Sequence, residues 1–145
     1  MRSSTLWFVL LALAGFHDCA IALYHFVLPY QFSWKNFLHG VPASVTWTLF
    51  ALNFSWSLLT LLAGLLVLYA ATLGPAAGAF ARRTIFAIGL FWAIHGAYTW
   101  IHPFPVPRTL AWLQYAIAAF PVIVVTLHWS PLLLYRENVT DELGA

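Results

Sequence analysis

Charge is nearly missing from this chain. Only 7% of its 145 residues are Asp, Glu, Lys or Arg, against 63% hydrophobic residues. A soluble domain carries about 25% charged residues. So little polar surface excludes a water-coated globule and leaves lipid as the main solvent. A basic stripe is missing too, and the formal net charge is only +2, so nucleic acid is excluded as a partner. Cysteine is reduced to Cys19 alone, which rules out an internal disulfide and says nothing about redox compartment. The chain has no HExxH, no Cys-x-x-Cys, no Glu-x-x-His pair, no nucleophile elbow and no phosphate loop, so no motif assigns a reaction.

What is abundant is apolar and aromatic. Mean hydropathy is +0.85, and eight Trp, six Tyr and twelve Phe are the kind of residue that settles at a membrane–water interface. Four apolar runs are long enough to cross hydrocarbon: residues 5–28, 45–71, 84–101 and 109–129. In lipid, runs of this length must satisfy their own backbone, so each is predicted to be a helix. Pro29, the Gly74-Pro75 pair, Pro103 and Pro131 are read as their stops. The short connections predict antiparallel neighbours, giving a single all-α integral membrane domain over residues 1–145, a left-handed up-down four-helix bundle. The longer first loop holds a candidate interfacial helix, Trp34 to His39, capped by Ser33 and closed by Gly40.

Basic residues set the expected orientation. Arg2, Arg82, Arg83 and Arg136 fall on one side, and Lys35 and Arg108 on the other. The positive-inside bias then puts both termini in the cytoplasm, and the lack of eukaryotic targeting signals points to a bacterial inner membrane. Arg2 and Ala12-Leu13-Ala14 imitate a signal peptide, but the apolar run continues to Leu28, so the segment is read as a span. Asn53-Phe54-Ser55 and Asn138-Val139-Thr140 match the glycosylation pattern; the first lies inside a span and the second on the expected inner side, so neither is taken as a site.

Each span also carries a costly polar group: His17 and Asp18, Asn53, His95, and Gln114. At about 1.5 Å per residue these fall roughly 8 to 15 Å below the outer helix ends, as one layer. Hydrocarbon punishes such groups unless they face one another or a wet cavity. The expectation is therefore a polar pocket in the outer half, lined by Asp18, Asn53, His95, Gln114 and His17, that binds an apolar small molecule such as a quinone, carotenoid or sterol-like compound. For Asp18 the structural alternative is a protonated side chain bonded to Asn53 or a backbone carbonyl. His25, His95 and His102 share the outer side, with His39 above, and such imidazoles can ligate haem iron or a transition metal. Packing roles are expected for Ser57, Thr60 and Gly64, a kink at Pro121, and an interfacial position for His128. Trp56 and Trp92 are read mainly as interface anchors or lipid-facing packing, and Arg108 as a snorkelling anchor or lipid-phosphate contact. Two further readings stand beside the ligand pocket. One is an accessory subunit docking a larger membrane complex. The other is an enzyme using Asp18 and His95 as acid and base on a lipid-soluble substrate.

Overall fold

A computed structural model of the chain describes residues 2–74, 78–103, 106 and 108–143, without the side chains of residues 2, 3 and 134–143. Five α-helices follow one another: α1 (Arg2–Gln31), α2 (Trp34–Phe37), α3 (Ala43–Leu73), α4 (Gly78–Ile101) and α5 (Ala111–Leu143), with a 3₁₀ turn at Arg108–Leu110 before α5. Among the described residues there is no strand. Four of the helices contain segments long and apolar enough to cross a membrane: Ser4–Gln31, Ala43–Leu73, Gly78–Ile101 and Arg108–Leu133.

The helices overrun the boundaries expected from proline. α1 continues through Pro29, and α5 passes both Pro121 and Pro131. A proline removes one backbone donor, but the rest of an apolar helix still has no better partner than itself, so the helix persists around the gap. α4 starts at Gly78, six residues before Thr84, so Arg82 and Arg83 lie in its first turns rather than in a loop. The loop helix is shorter than expected. Ser33 adopts a left-handed conformation (φ 48°, ψ 47°), in which its hydroxyl makes no cap bond.

α1 packs most extensively on α3, and α4 on α5; α1 also meets α5, while α3 and α4 touch only sparsely although they are consecutive. Close approach explains the first pairing. A Cβ on Gly15 would stand 2.8 Å from the Gly64 carbonyl oxygen, and one on Gly64 would stand 2.8 Å from that of Gly15. The two backbones are in contact there, which only glycine at both positions permits. The α4–α5 seam uses the same device with larger partners: Gly89 receives the Trp129 indole, and Gly96 receives the Pro121 ring.

Burial divides the bundle into two unlike halves. Near the N-terminus, Trp7, Leu11 and Ala14 of α1 pack with Val67, Ala70 and Ala71 of α3 and Ala81 and Ile85 of α4 into an apolar core. Towards the α1–α3 connection, the inward residues become His17, Asp18, Asn53, Trp56, Ser57, Trp92 and His95. The polar groups sit above a dry floor.

Candidate functional site

Asp18 is the centre of the polar half. Its side chain is 0% exposed, and so is that of His128. His128 Nε2 lies 3.1 Å from Asp18 Oδ2, and His17 Nδ1 lies 3.0 Å from Asp18 Oδ1. His128 Nδ1 is in turn 2.8 Å from the Val124 carbonyl oxygen. Both carboxyl oxygens are thus occupied by imidazoles, one from α1 itself and one from α5. The bond to α5 crosses the interface between the first and last long helices.

Hydrogen positions follow from this geometry. A carbonyl only accepts, so His128 Nδ1 carries a hydrogen and donates to Val124. Two uncharged states then satisfy the remaining contact. Either an imidazolium Nε2–H donates to a carboxylate, or the acid's Oδ2–H donates to a bare Nε2. Both contain the same number of protons and carry no net charge. In both, Oδ1 is an acceptor, so His17 Nδ1 donates to it. A neutral His17 consequently presents a bare Nε2, an atom that is buried and has no hydrogen-bond partner.

The His17 ring belongs to an aromatic cluster built by all four long helices. The His17 ring lies 5.4 Å from Trp92 and 4.8 Å from Phe120, centroid to centroid. Trp92 is buried and also meets Trp56 at 6.4 Å and His95 at 5.7 Å. Trp56 is 5.2 Å from His95 and 6.1 Å from His25. The Trp56 indole N–H is a second buried polar atom without a partner, the Thr60 hydroxyl, on the next turn of α3, is a third, and the Ser130 hydroxyl of α5 is a fourth. Trp56 and Trp92 are therefore interior residues, not interface anchors.

The expected pocket residues do not meet in one chamber. Asn53 holds His25: its Nδ2 donates to the His25 carbonyl at 2.8 Å, and His25 Nδ1 approaches Asn53 Oδ1 at 3.4 Å. Asn53 is thus a clamp between α1 and α3, and not the partner of Asp18. His95 is half-buried against the two indoles, and Asp18 shares its hydrogen bonds with His17 and His128 rather than with His95. Gln114 is exposed. It lines an open cleft of about 480 Å³ at the outer end of α4 and α5, with Thr99, Trp100, Pro103, Tyr115, Ile117 and Ala118. It shares a stripe with Pro121 and His128, but no third helix covers that end of α5. His102 is exposed against Tyr98, and His39 is exposed in the first connection. Among the described residues, no group of three or more His, Cys, Asp or Glu side chains is gathered to hold a metal ion, so His25, His95 and His102 do not form a metal centre here. Ser57, Thr60 and Gly64 are all buried in α3, Ser57 donating to the Asn53 carbonyl at 2.6 Å.

His128 was not singled out from the sequence as a site residue. Ending the last span at Trp129 put it at the interface, whereas α5 runs on through the buried Pro131 and carries His128 into the interior. The seven-residue recurrence of Gln114, Pro121 and His128 was the available signal.

No protein-family model, curated protein or solved structure matches this chain. A functional reading therefore rests on these residues alone.

Proposed function

We propose that this chain is a small polytopic inner-membrane protein, with both termini cytoplasmic, that binds a lipid-soluble molecule in the polar and aromatic half of its bundle. One observation carries the reading: buried hydrogen-bonding atoms of His17 and Trp56 are left unpaired among packed aromatic rings, above an apolar core in which the Trp7 indole N–H is met by the Ala70 carbonyl. Buried polar groups are otherwise paired almost without exception, because each orphan costs about 1–3 kcal/mol. A ligand that supplies the missing partners offsets that cost. The dry floor closes the site on the N-terminal side, so entry is from the α1–α3 connection or laterally from lipid. His95, whose ring faces both indoles, borders the site. The His17–Asp18–His128 chain fixes the orientation of His17 and joins α1 to α5.

The test is what the protein retains. The full chain is extracted gently from membranes, and bound small molecules are identified by mass spectrometry, in wild type and His95→Leu. A stoichiometric lipid-soluble compound in the wild type, lost in a His95→Leu protein of unchanged melting temperature, is the expected result. Bulk lipid alone in both, with a co-purifying membrane protein, would instead establish the accessory-subunit reading.

A further inference from the structure

We infer that the ligand of this site carries a hydroxyl that donates to His17 Nε2 and an oxygen that accepts from the Trp56 indole N–H: a hydroxylated, lipid-soluble ring compound. The inference rests on the ligand-binding reading above and adds its chemical class.

The Val124 carbonyl forces a hydrogen onto His128 Nδ1 at 2.8 Å, and the His128–Asp18 contact at 3.1 Å then uses Oδ2. Oδ1 is left as an acceptor for His17 Nδ1 at 3.0 Å. In a neutral His17 the second nitrogen is thereby left as a lone pair, through its neighbour Asp18 and through His128 and Val124 on α5. It does not choose its tautomer freely. Trp56 Nε1 has the opposite sense, since an indole N–H only donates. Both atoms are buried and unpartnered, and both rings pack on the same Trp92 indole, at 5.4 and 6.4 Å. One acceptor and one donor beside a common aromatic wall call for a molecule that both donates and accepts. A hydroxyl does this alone, and a ring bearing a hydroxyl and a second oxygen does it over a longer reach. Purely acceptor compounds, such as ethers and quinones, leave His17 Nε2 bare. A hydrocarbon leaves both atoms bare. Trp92, Trp56, Phe91 and Phe120 supply flat apolar surface, so a ring suits the site better than an aliphatic chain.

A water molecule is the other source of a hydroxyl in such a place, and the experiment separates the two. The full-length protein, in lipid nanodiscs, is titrated with 2-naphthol and with 2-methoxynaphthalene. The two probes share the ring and an acceptor oxygen, and only the first donates. The expected result is that 2-naphthol binds about tenfold tighter or more, the scale of one buried hydrogen bond. Trp56→Phe keeps the ring, removes only an N–H that has no protein partner, and weakens both probes several-fold. His17→Phe abolishes the preference between them. Should that variant fold poorly, ¹⁵N-histidine NMR of the wild type gives the same information. The His17 Nε2 resonance moves upfield when 2-naphthol is added and stays put with the ether. Equal affinity for the two probes overturns the hydroxyl assignment while leaving a ligand site in place. A His17 Nε2 already hydrogen-bonded in probe-free protein, with no probe preference, assigns the position to water and overturns it likewise. Failure of both probes to bind overturns the ligand-binding reading itself.

Discussion

Removing the Asp18 carboxyl should cost far more than the average polar contact between membrane helices. Double-mutant cycles on such contacts average about 0.6 kcal/mol, because partners find alternatives. Two bonds at that value give a little over about 1 kcal/mol for Asp18→Ala. The geometry argues for more. His128 is 0% exposed, its Nδ1 is already committed to Val124, and its Nε2 has no other group to turn to. It bears the full penalty of an unpaired buried atom, about 1–3 kcal/mol. His17 is 18% exposed and recovers part of its own loss. Adding the cavity left by the side chain, we expect Asp18→Ala to lose about 3–4 kcal/mol. Asp18→Asn is the informative contrast. Its amide oxygen accepts from His17 Nδ1 and its NH₂ donates to a bare His128 Nε2, so both bonds survive in a neutral form and the loss should stay under about 1 kcal/mol. Equilibrium unfolding in mixed micelles, followed by tryptophan fluorescence and circular dichroism, measures both. An Asp18→Ala protein within about 1 kcal/mol of wild type would refute the claim that this chain of bonds holds α5 to α1.

Four other outcomes follow from the same structure. Gly64→Val should disrupt the α1–α3 contact by about 1–3 kcal/mol, since the first added carbon meets the Gly15 backbone at 2.8 Å; a thermal melt reads it. His128→Phe should be at least as destabilising as Asp18→Ala, because it leaves a buried carboxyl oxygen unpaired, and pairing it with Asp18→Ala in a double-mutant cycle should recover much of the loss. Gln114→Ala should change neither stability nor ligand retention, because Gln114 is exposed in a separate cleft. In a Cys19→Ser background, Asn36→Cys should react with an impermeant maleimide added to intact cells and Ser4→Cys should not; the reverse pattern would invert the orientation set by the arginines.

Much of the fold was legible because long apolar runs leave the backbone so few choices. Runs of apolar residues announced the four long helices, and the small stripe at Ser57, Thr60 and Gly64 announced a packed face. The ends were not legible, because proline marks a missing donor rather than a stop. Pro29 and Pro131 both lie inside helices. That one error moved His128 from the interior to the interface. Depth along a helix can be read by counting residues, but rotation and tilt cannot. Asp18, Asn53, His95 and Gln114 fell into one layer by count, yet α1 and α3 pair Asn53 with His25, α5 brings His128 to Asp18, and Gln114 lies where the bundle opens. The backbone contact at Gly15 and Gly64 decides much of this, since it fixes how α1 is turned towards α3.

The asymmetry of the interior argues against reading the polar groups as register pins alone. A bond that merely sets helix rotation needs both its ends satisfied, as Asn53 and His25 show and as Asp18 and His128 show. Neither bond requires a second imidazole on Asp18, yet His17 occupies the remaining oxygen. The effect of that extra contact is on His17, not on Asp18. In a neutral ring it fixes the tautomer, and it leaves the opposite nitrogen without a protein partner in a ring packed beside Trp92 and Phe120. Orienting one ring nitrogen by bonding the other is how proteins prepare a histidine to meet something outside the chain. A scaffold whose only task was to dock its aromatic exterior against a partner would gain nothing by holding an interior lone pair in place.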